Sequence, residues 1–281
     1  MKINKIIWLI SIACLCLLLF IIIDARKLDS KQVIFGGADG IFVTDERVYV
    51  SADYSDDSSV EETDPWPDID IINDEEDIYS IVNDDNLLSA VYEPDVDVID
   101  KEYVTYYGIK LRSDILPQLY AMLDACREAG YSIYVNSGYR SYSYQETIFN
   151  GVASGIAERM GITGDDAYLQ PEYQLAVEEA RTKSKYPGAC EHQLGLAVDI
   201  VDRYYSSVSY ANMNQEMFAW LDEHCCEYGF IKRYPTKKLL LTGWDESWHY
   251  RYVGVEAATY IMQHDLCYEQ FYSHYVSDFT Y

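Results

Sequence analysis

The sequence predicts an α+β protein: a compact domain with a small central antiparallel sheet flanked by helices, preceded by a transmembrane anchor and an acidic spacer. Three observations carry this. Helical and strand-like segments alternate irregularly after residue 81, without the 30-residue rhythm of βαβ units. An 18-residue apolar run, Ile6–Ile23, follows Lys2 and Lys5. Between Asp24 and Asp100 stand 23 of the 47 acidic residues and only four basic ones.

Residues 1–5 read as a short cytoplasmic tail and 6–23 as an uncleaved signal anchor. The run equals about 27 Å of helix, the lower end of what spans a bilayer, and no A-x-A cleavage pattern follows it. The flanking lysines place the N-terminus inside, so the expected location is the cell membrane, single-pass, with the body extracytoplasmic. Residues 24–80 read as a solvated, largely disordered spacer. Within it, 32–50 has two β-branched runs around Gly-Gly-Ala-Asp-Gly, a candidate hairpin. Residues 81–281 form the expected domain. Its elements are a helix carrying Leu116, Leu119, Leu123 and Cys126 and ended by Gly130; a strand from Tyr131 to Tyr139; a helix from Gln145 to Met160; a buried strand from Leu194 to Val201; a helix from Gln215 to Tyr228 closed by Gly229; and a last helix from Val255 to Leu266.

The 281 residues are 49% hydrophobic, enough for a packed core, and carry a formal net charge of −26. Nucleic-acid binding is excluded on that balance, because phosphate contacts need clustered cations. Seven cysteines include no C-x-x-C. The five beyond the apolar run are compatible with one or two disulfides in an oxidising compartment or with free buried thiols.

Two segments concentrate metal-ligand chemistry. In Glu191-His192-Gln193-Leu194-Gly195-Leu196-Ala197-Val198-Asp199, strand alternation puts Gly195, Ala197 and Asp199 on one face. Leu196, Val198 and Ile200 fall on the other. A carboxylate on a face stripped of bulk implies that something fits beside it, and His192 can return to the same spot. In Trp244-Asp245-Glu246-Ser247-Trp248-His249, a Glu three residues before a His brings a carboxylate and an imidazole into one pocket. Two His nitrogens and a carboxylate suit Zn²⁺ with a fourth position left for water, and a non-ligand Glu beside them can take the water's proton. Arg140, in Ser137-Gly138-Tyr139-Arg140-Ser141 at a strand end, can hold a carboxylate or stabilise an oxyanion. Gln145 is within reach of the same pocket. His224, His264 and His274 lack ligand spacing and read as structural.

Ser-Gly-Tyr-Arg-Ser, Glu-His-Gln-Leu-Gly-Leu-Ala-Val-Asp and Glu-Ser-Trp-His-Tyr-Arg-Tyr, in that order, resemble the VanY-type branch of the zinc D-alanyl-D-alanine carboxypeptidase family over roughly residues 81–270. The resemblance implies a compact α+β fold and one Zn²⁺ per chain held by His192, Asp199 and His249. It implies Glu246 as general base and acid, and Arg140 as the residue that holds the substrate or the oxyanion. Gln145, Cys190 and Trp248 are the further expected substrate contacts. The implied substrate is a peptidoglycan stem pentapeptide ending in D-alanine. Two positions depart from the family pattern: Cys190 stands where it has Ser, and Ser247 where it usually has Pro. The same motifs also serve L,D-carboxypeptidases that trim tetrapeptides. A zinc-retaining wall-binding domain without turnover is the alternative of a different class, and intact Glu246 argues against it.

Overall fold

The computed structural model describes residues 77–205 and 209–276. The expected tail, the anchor, the hairpin at 32–50 and most of the spacer lie outside them. Among the described residues no helix is long and apolar enough to cross a membrane. In chain order the elements are β1 (Val96–Val98), β2 (Lys110–Arg112), α1 (Leu116–Glu128), β3 (Tyr134–Ser137), α2 (Tyr142–Arg159), α3 (Tyr173–Arg181), β4 (Ala197–Val201), α4 (Gln215–His224), β5 (Phe230–Tyr234), α5 (Leu239–Thr242), β6 (Glu246–Tyr252), α6 (Val255–Gln263) and α7 (Tyr268–Phe271).

β3, β4, β6 and β5 form a four-stranded sheet in that order, with every neighbouring pair antiparallel. β1 and β2 make a separate two-stranded ribbon. The fold is therefore the expected α+β arrangement with a small antiparallel sheet. α1 lays Leu119, Met122, Leu123 and Cys126 into the principal core, where Leu196, Val198 and Ile200 meet them from the sheet. Burying one such side chain contributes about 1.5–3 kcal/mol. A second small core, with Phe149, Ala153, Ile156, Ala176 and Ala180, lies between α2 and α3.

Several boundaries differ from the sequence expectation. The strand expected at Leu194 begins at Ala197, because Glu191–Leu194 forms a 3₁₀ turn closed by Gly195 at φ +71°. Gly195 thus serves the turn and does not share a strand face with Asp199; a left-handed backbone there is cheap only for glycine. The first sheet strand is confined to Tyr134–Ser137, and its pairing with β4 slips between Val135 and Ser137. α2 starts three residues early because the Ser141 hydroxyl caps it by accepting from the Tyr144 amide. The helix expected through Tyr228 leaves α geometry after His224 and finishes as a 3₁₀ turn before Gly229. α6 is followed by the short α7, so it is not the last helix. Residues 77–80, assigned to the spacer by composition, belong to the folded unit: Arg251 Nη2 donates to the carbonyls of Ile78 and Ser80. Cys126, Cys190, Cys225, Cys226 and Cys267 are all free, buried thiols, which settles the disulfide alternative for these five.

Candidate metal centre and active site

The centre is assembled by strand pairing. Asp199 on β4 lies directly opposite His249 on β6, and directly opposed residues put their side chains on one face. His249 Nδ1 is 3.3 Å from Asp199 Oδ1. His192, on the turn before β4, brings Nε2 to 3.4 Å from the same oxygen. Glu246 and His249 are three apart and in a regular strand would face opposite ways. They share the site because β6 bulges. Tyr234 pairs with Glu246 and Lys232 with Tyr250, so four steps along β6 match two along β5. Glu246 Oε2 is then 4.0 Å from His249 Nδ1.

Both imidazoles are held from behind. His192 Nδ1 meets the Gly138 carbonyl at 2.7 Å, so it donates there and leaves the Nε2 lone pair facing Asp199. His249 Nε2 faces Glu191 Oε2 at 3.4 Å, which leaves Nδ1 free on the inner side. Such outer partners fix tautomer and orientation in metal centres. The Gly138–Arg140 segment is stitched to the His192 turn a second time, since the Arg140 amide donates to the His192 carbonyl at 3.1 Å. Gly138 has no room for a side chain: a Cβ would lie 2.2 Å from the Lys110 carbonyl oxygen. Gly138→Ala must therefore displace the carbonyl that orients His192. We expect zinc affinity to fall about 10–100-fold, read by competition with a chromophoric chelator.

The residues fit a metal ion on their own chemistry. His192, Asp199 and His249 are buried, and their ligand atoms lie within 4.8 Å of one another. His192 Nε2 and Asp199 Oδ1 are buried without hydrogen-bond partners, and such orphans are costly unless a ligand satisfies them. Two nitrogens and a carboxylate oxygen form the donor set of zinc with one position open. Burial, together with the Arg140 charge, holds His192 down at about 4, so it is a neutral ligand at pH 7. Asp199 is held below the usual carboxylate range: burial opposes this, but His192 and His249 outweigh it. Burial raises Glu246, with Asp199 adding to the effect against His249, Lys185 and Arg140.

These groups line a cavity of about 130 Å³ together with Arg140, Gln145, Lys185, Cys190 and Tyr234. Arg140 Nη1 donates to Gln145 Oε1 at 2.9 Å, and Nη2 lies 3.5 Å from Asp199 Oδ2. The Gln145 amide in turn donates to the Lys185 carbonyl at 2.8 Å, so both ends of this side chain are engaged in holding neighbours. Trp248 is placed elsewhere: it packs against the principal core and does not line the cavity. Of the other histidines, His224 meets Glu227 and His264 its own helix carbonyl at Tyr260, both away from the site.

Sequence reasoning missed three features. Lys185 and Tyr234 line the cavity without belonging to any quoted motif. Glu191 was seen only as part of a motif, yet it anchors a buried charge network. Its Oε1 accepts from Arg233 Nε at 2.8 Å and lies 3.1 Å from Arg251 Nη1. Arg233 also pairs with Glu269 of α7. The two arginines hold the Glu191 carboxyl far down against its burial. The signal was Arg233 and Arg251 at buried strand positions, which demand a carboxylate.

A buried His-Asp-His cluster with a carboxylate and a guanidinium in one cleft defines the class of single-metal hydrolases. The family profile described as "VanY: D-alanyl-D-alanine carboxypeptidase" matches residues 108–255, and the chain belongs to that family. A D-alanyl-D-alanine carboxypeptidase of Enterococcus faecalis is 36% identical over 193 residues, 68% of this chain; the chain spans 64% of that relative's length. Among solved structures, VanYB in complex with D-alanine-D-alanine is 35% identical, with TM-score 0.57, covering 71% of this chain and 99% of that one. A vancomycin-resistance D,D-pentapeptidase VanY from a VanB-type cassette, solved as a Glu-to-Ala mutant with Zn(II), is 35% identical with TM-score 0.56, covering 70% and 99%. The L,D-carboxypeptidase LdcB is 30% identical with TM-score 0.57, covering 69% and 84%.

Proposed function

We propose that this protein is a membrane-anchored zinc carboxypeptidase that removes the C-terminal D-alanine from peptidoglycan stem pentapeptides. The observation that carries the reading is the convergence of Glu246 and Arg140 on the His192, Asp199 and His249 cluster in one cavity. Relatives crystallised with D-alanine-D-alanine and with Zn(II) support it, and the apolar run at 6–23 supports the anchoring and an extracytoplasmic catalytic domain.

His192 Nε2, Asp199 Oδ1 and His249 Nδ1 would hold the zinc, which when bound supplies Lewis acidity and an acidified water. Glu246, made more basic by burial, accepts the proton of the attacking water. The same carboxyl returns it to the leaving nitrogen, so the C–N bond breaks with D-alanine leaving as the free amine. Arg140 offers its charge to the carbonyl oxygen as that becomes an oxyanion, the step where such charge counts most.

The zinc-loaded full chain, incubated with equal amounts of pentapeptide and tetrapeptide stems, should release one D-alanine from the pentapeptide alone, identified by mass. Dialysis against a chelator should abolish release, and added zinc should restore it. Release from the tetrapeptide alone would move the assignment to the L,D-branch, which the likeness to LdcB favours. No release from either, with zinc bound, overturns the enzyme reading and leaves a wall-binding domain.

A further inference from the structure

A carboxypeptidase must recognise a free terminal carboxylate. That carbon is three bonds from the scissile carbonyl carbon, within about 4 Å by standard bond lengths, so the recognising cation has to line the catalytic cavity itself. Three cations do: Arg140, Lys183 and Lys185. Lys183 is exposed. Arg140 has both terminal nitrogens turned to Gln145 and Asp199, so the fork that clamps a carboxylate by parallel hydrogen bonds is already engaged.

Lys185 stands differently. Its Nζ lies 4.0 Å from the centroid of the Trp244 ring and 4.6 Å from that of Tyr234. Among the described residues it forms no ion pair, although the chain carries 47 acidic residues against 21 basic ones. Lys185 is half-buried, and a charged side chain taken partly out of water is usually paired. The two rings hold it in place by cation–π attraction, but they do not neutralise it. Burial brings its pKa down to about 8. Glu246 on β6, Glu191 on the 3₁₀ turn and Cys190 just before that turn favour its charged form; Arg233 on β5 opposes it. The Lys185 main chain is pinned by the Gln145 amide, so the ammonium is presented from a fixed point. Cys190, on the same wall, brings only a weak S–H donor.

We propose that Lys185 receives the substrate's terminal carboxylate, so that the demand for a free C-terminus is set by this lysine, and Arg140 is left to the oxyanion. The inference rests on the carboxypeptidase reading above.

The test uses the zinc-loaded full chain, N-acylated stem peptides ending in D-Ala-D-Ala or in D-Ala-D-alaninamide, and the variants Lys185→Met and Lys185→Arg. Lys185→Met should cut the acid-over-amide preference in kcat/KM by about 30-fold or more, chiefly through KM, with zinc content and melting temperature kept. Lys185→Arg should retain most of the preference. For the parent chain, KM for the acid should rise as pH climbs past about 8 and the lysine loses its proton; with arginine that rise should vanish. An unchanged preference in Lys185→Met, or an equal loss on acid and amide, overturns the proposal. If the parent chain hydrolyses neither peptide, the carboxypeptidase reading has failed separately. Calorimetric binding of N-acyl-D-Ala-D-Ala then decides: affinity lost in Lys185→Met supports the lysine site, and unchanged affinity overturns it.

Discussion

Replacing Glu246 by Gln is expected to lower kcat and kcat/KM together by about 10²–10⁴-fold while each chain keeps one zinc. The carboxylate is not one of the three clustered ligands; it stands beside them, 4.0 Å from His249 Nδ1. Gln fills the same volume but cannot carry a proton from water to the leaving amine. Stopped assays on the pentapeptide, paired with metal analysis of the same sample, read both halves of the prediction. Loss of zinc in Glu246→Gln would make Glu246 a ligand and remove it from the role of base.

The second large effect concerns Glu191. Glu191→Gln leaves Arg251 buried without its carboxylate and removes one of Arg233's two partners. Breaking a buried pair from one side costs about 3–5 kcal/mol. For a domain of this size that is a fall of roughly 6–20 °C in melting temperature, measured at fixed zinc because a bound metal shifts the midpoint by itself. Glu269→Gln should cost much less, since that carboxylate is 24% exposed and Arg233 keeps Glu191. Equal losses in the two variants would show that Glu191 is not the hub. Glu191→Gln also leaves one acceptor oxygen to serve both the arginines and His249 Nε2, so weaker zinc binding should accompany the lower melting temperature.

The metal cluster was legible because its signals are local. His192 and Asp199 sit in one nine-residue motif, and strand alternation separates the Asp199 face from the core face. Leu196, Val198 and Ile200 do enter the core. Glu246 was legible only as a neighbour of His249: the bulge that turns both into one cavity depends on how β6 pairs with β5, which no spacing records. The start of β4 was misplaced because hydrophobicity runs unbroken through Leu194 and Leu196, while the backbone turns at Gly195. The Glu191 network could not be read from motif spacing. Its partners stand 42 and 36 residues apart in the chain, and a buried arginine looks like any surface arginine until its strand position is known. Lys185 escaped for the same reason: Tyr234 and Trp244, which make its environment, arrive from β5 and from the turn before β6.

Among the described residues, the groups that line the cavity come from elements that pack into different cores. Asp199 and His249 hang from the sheet that covers the principal core, with His192 on the turn before it, whereas Gln145 lies in the first turn of α2 and Lys185 follows α3, the pair of helices packed over their own small core. Mutational drift in the helical pair can therefore reshape the wall that meets the peptide without touching the strands that carry the chemistry. A lineage built on this plan is free to change which peptide terminus it trims while its hydrolytic apparatus stays constant.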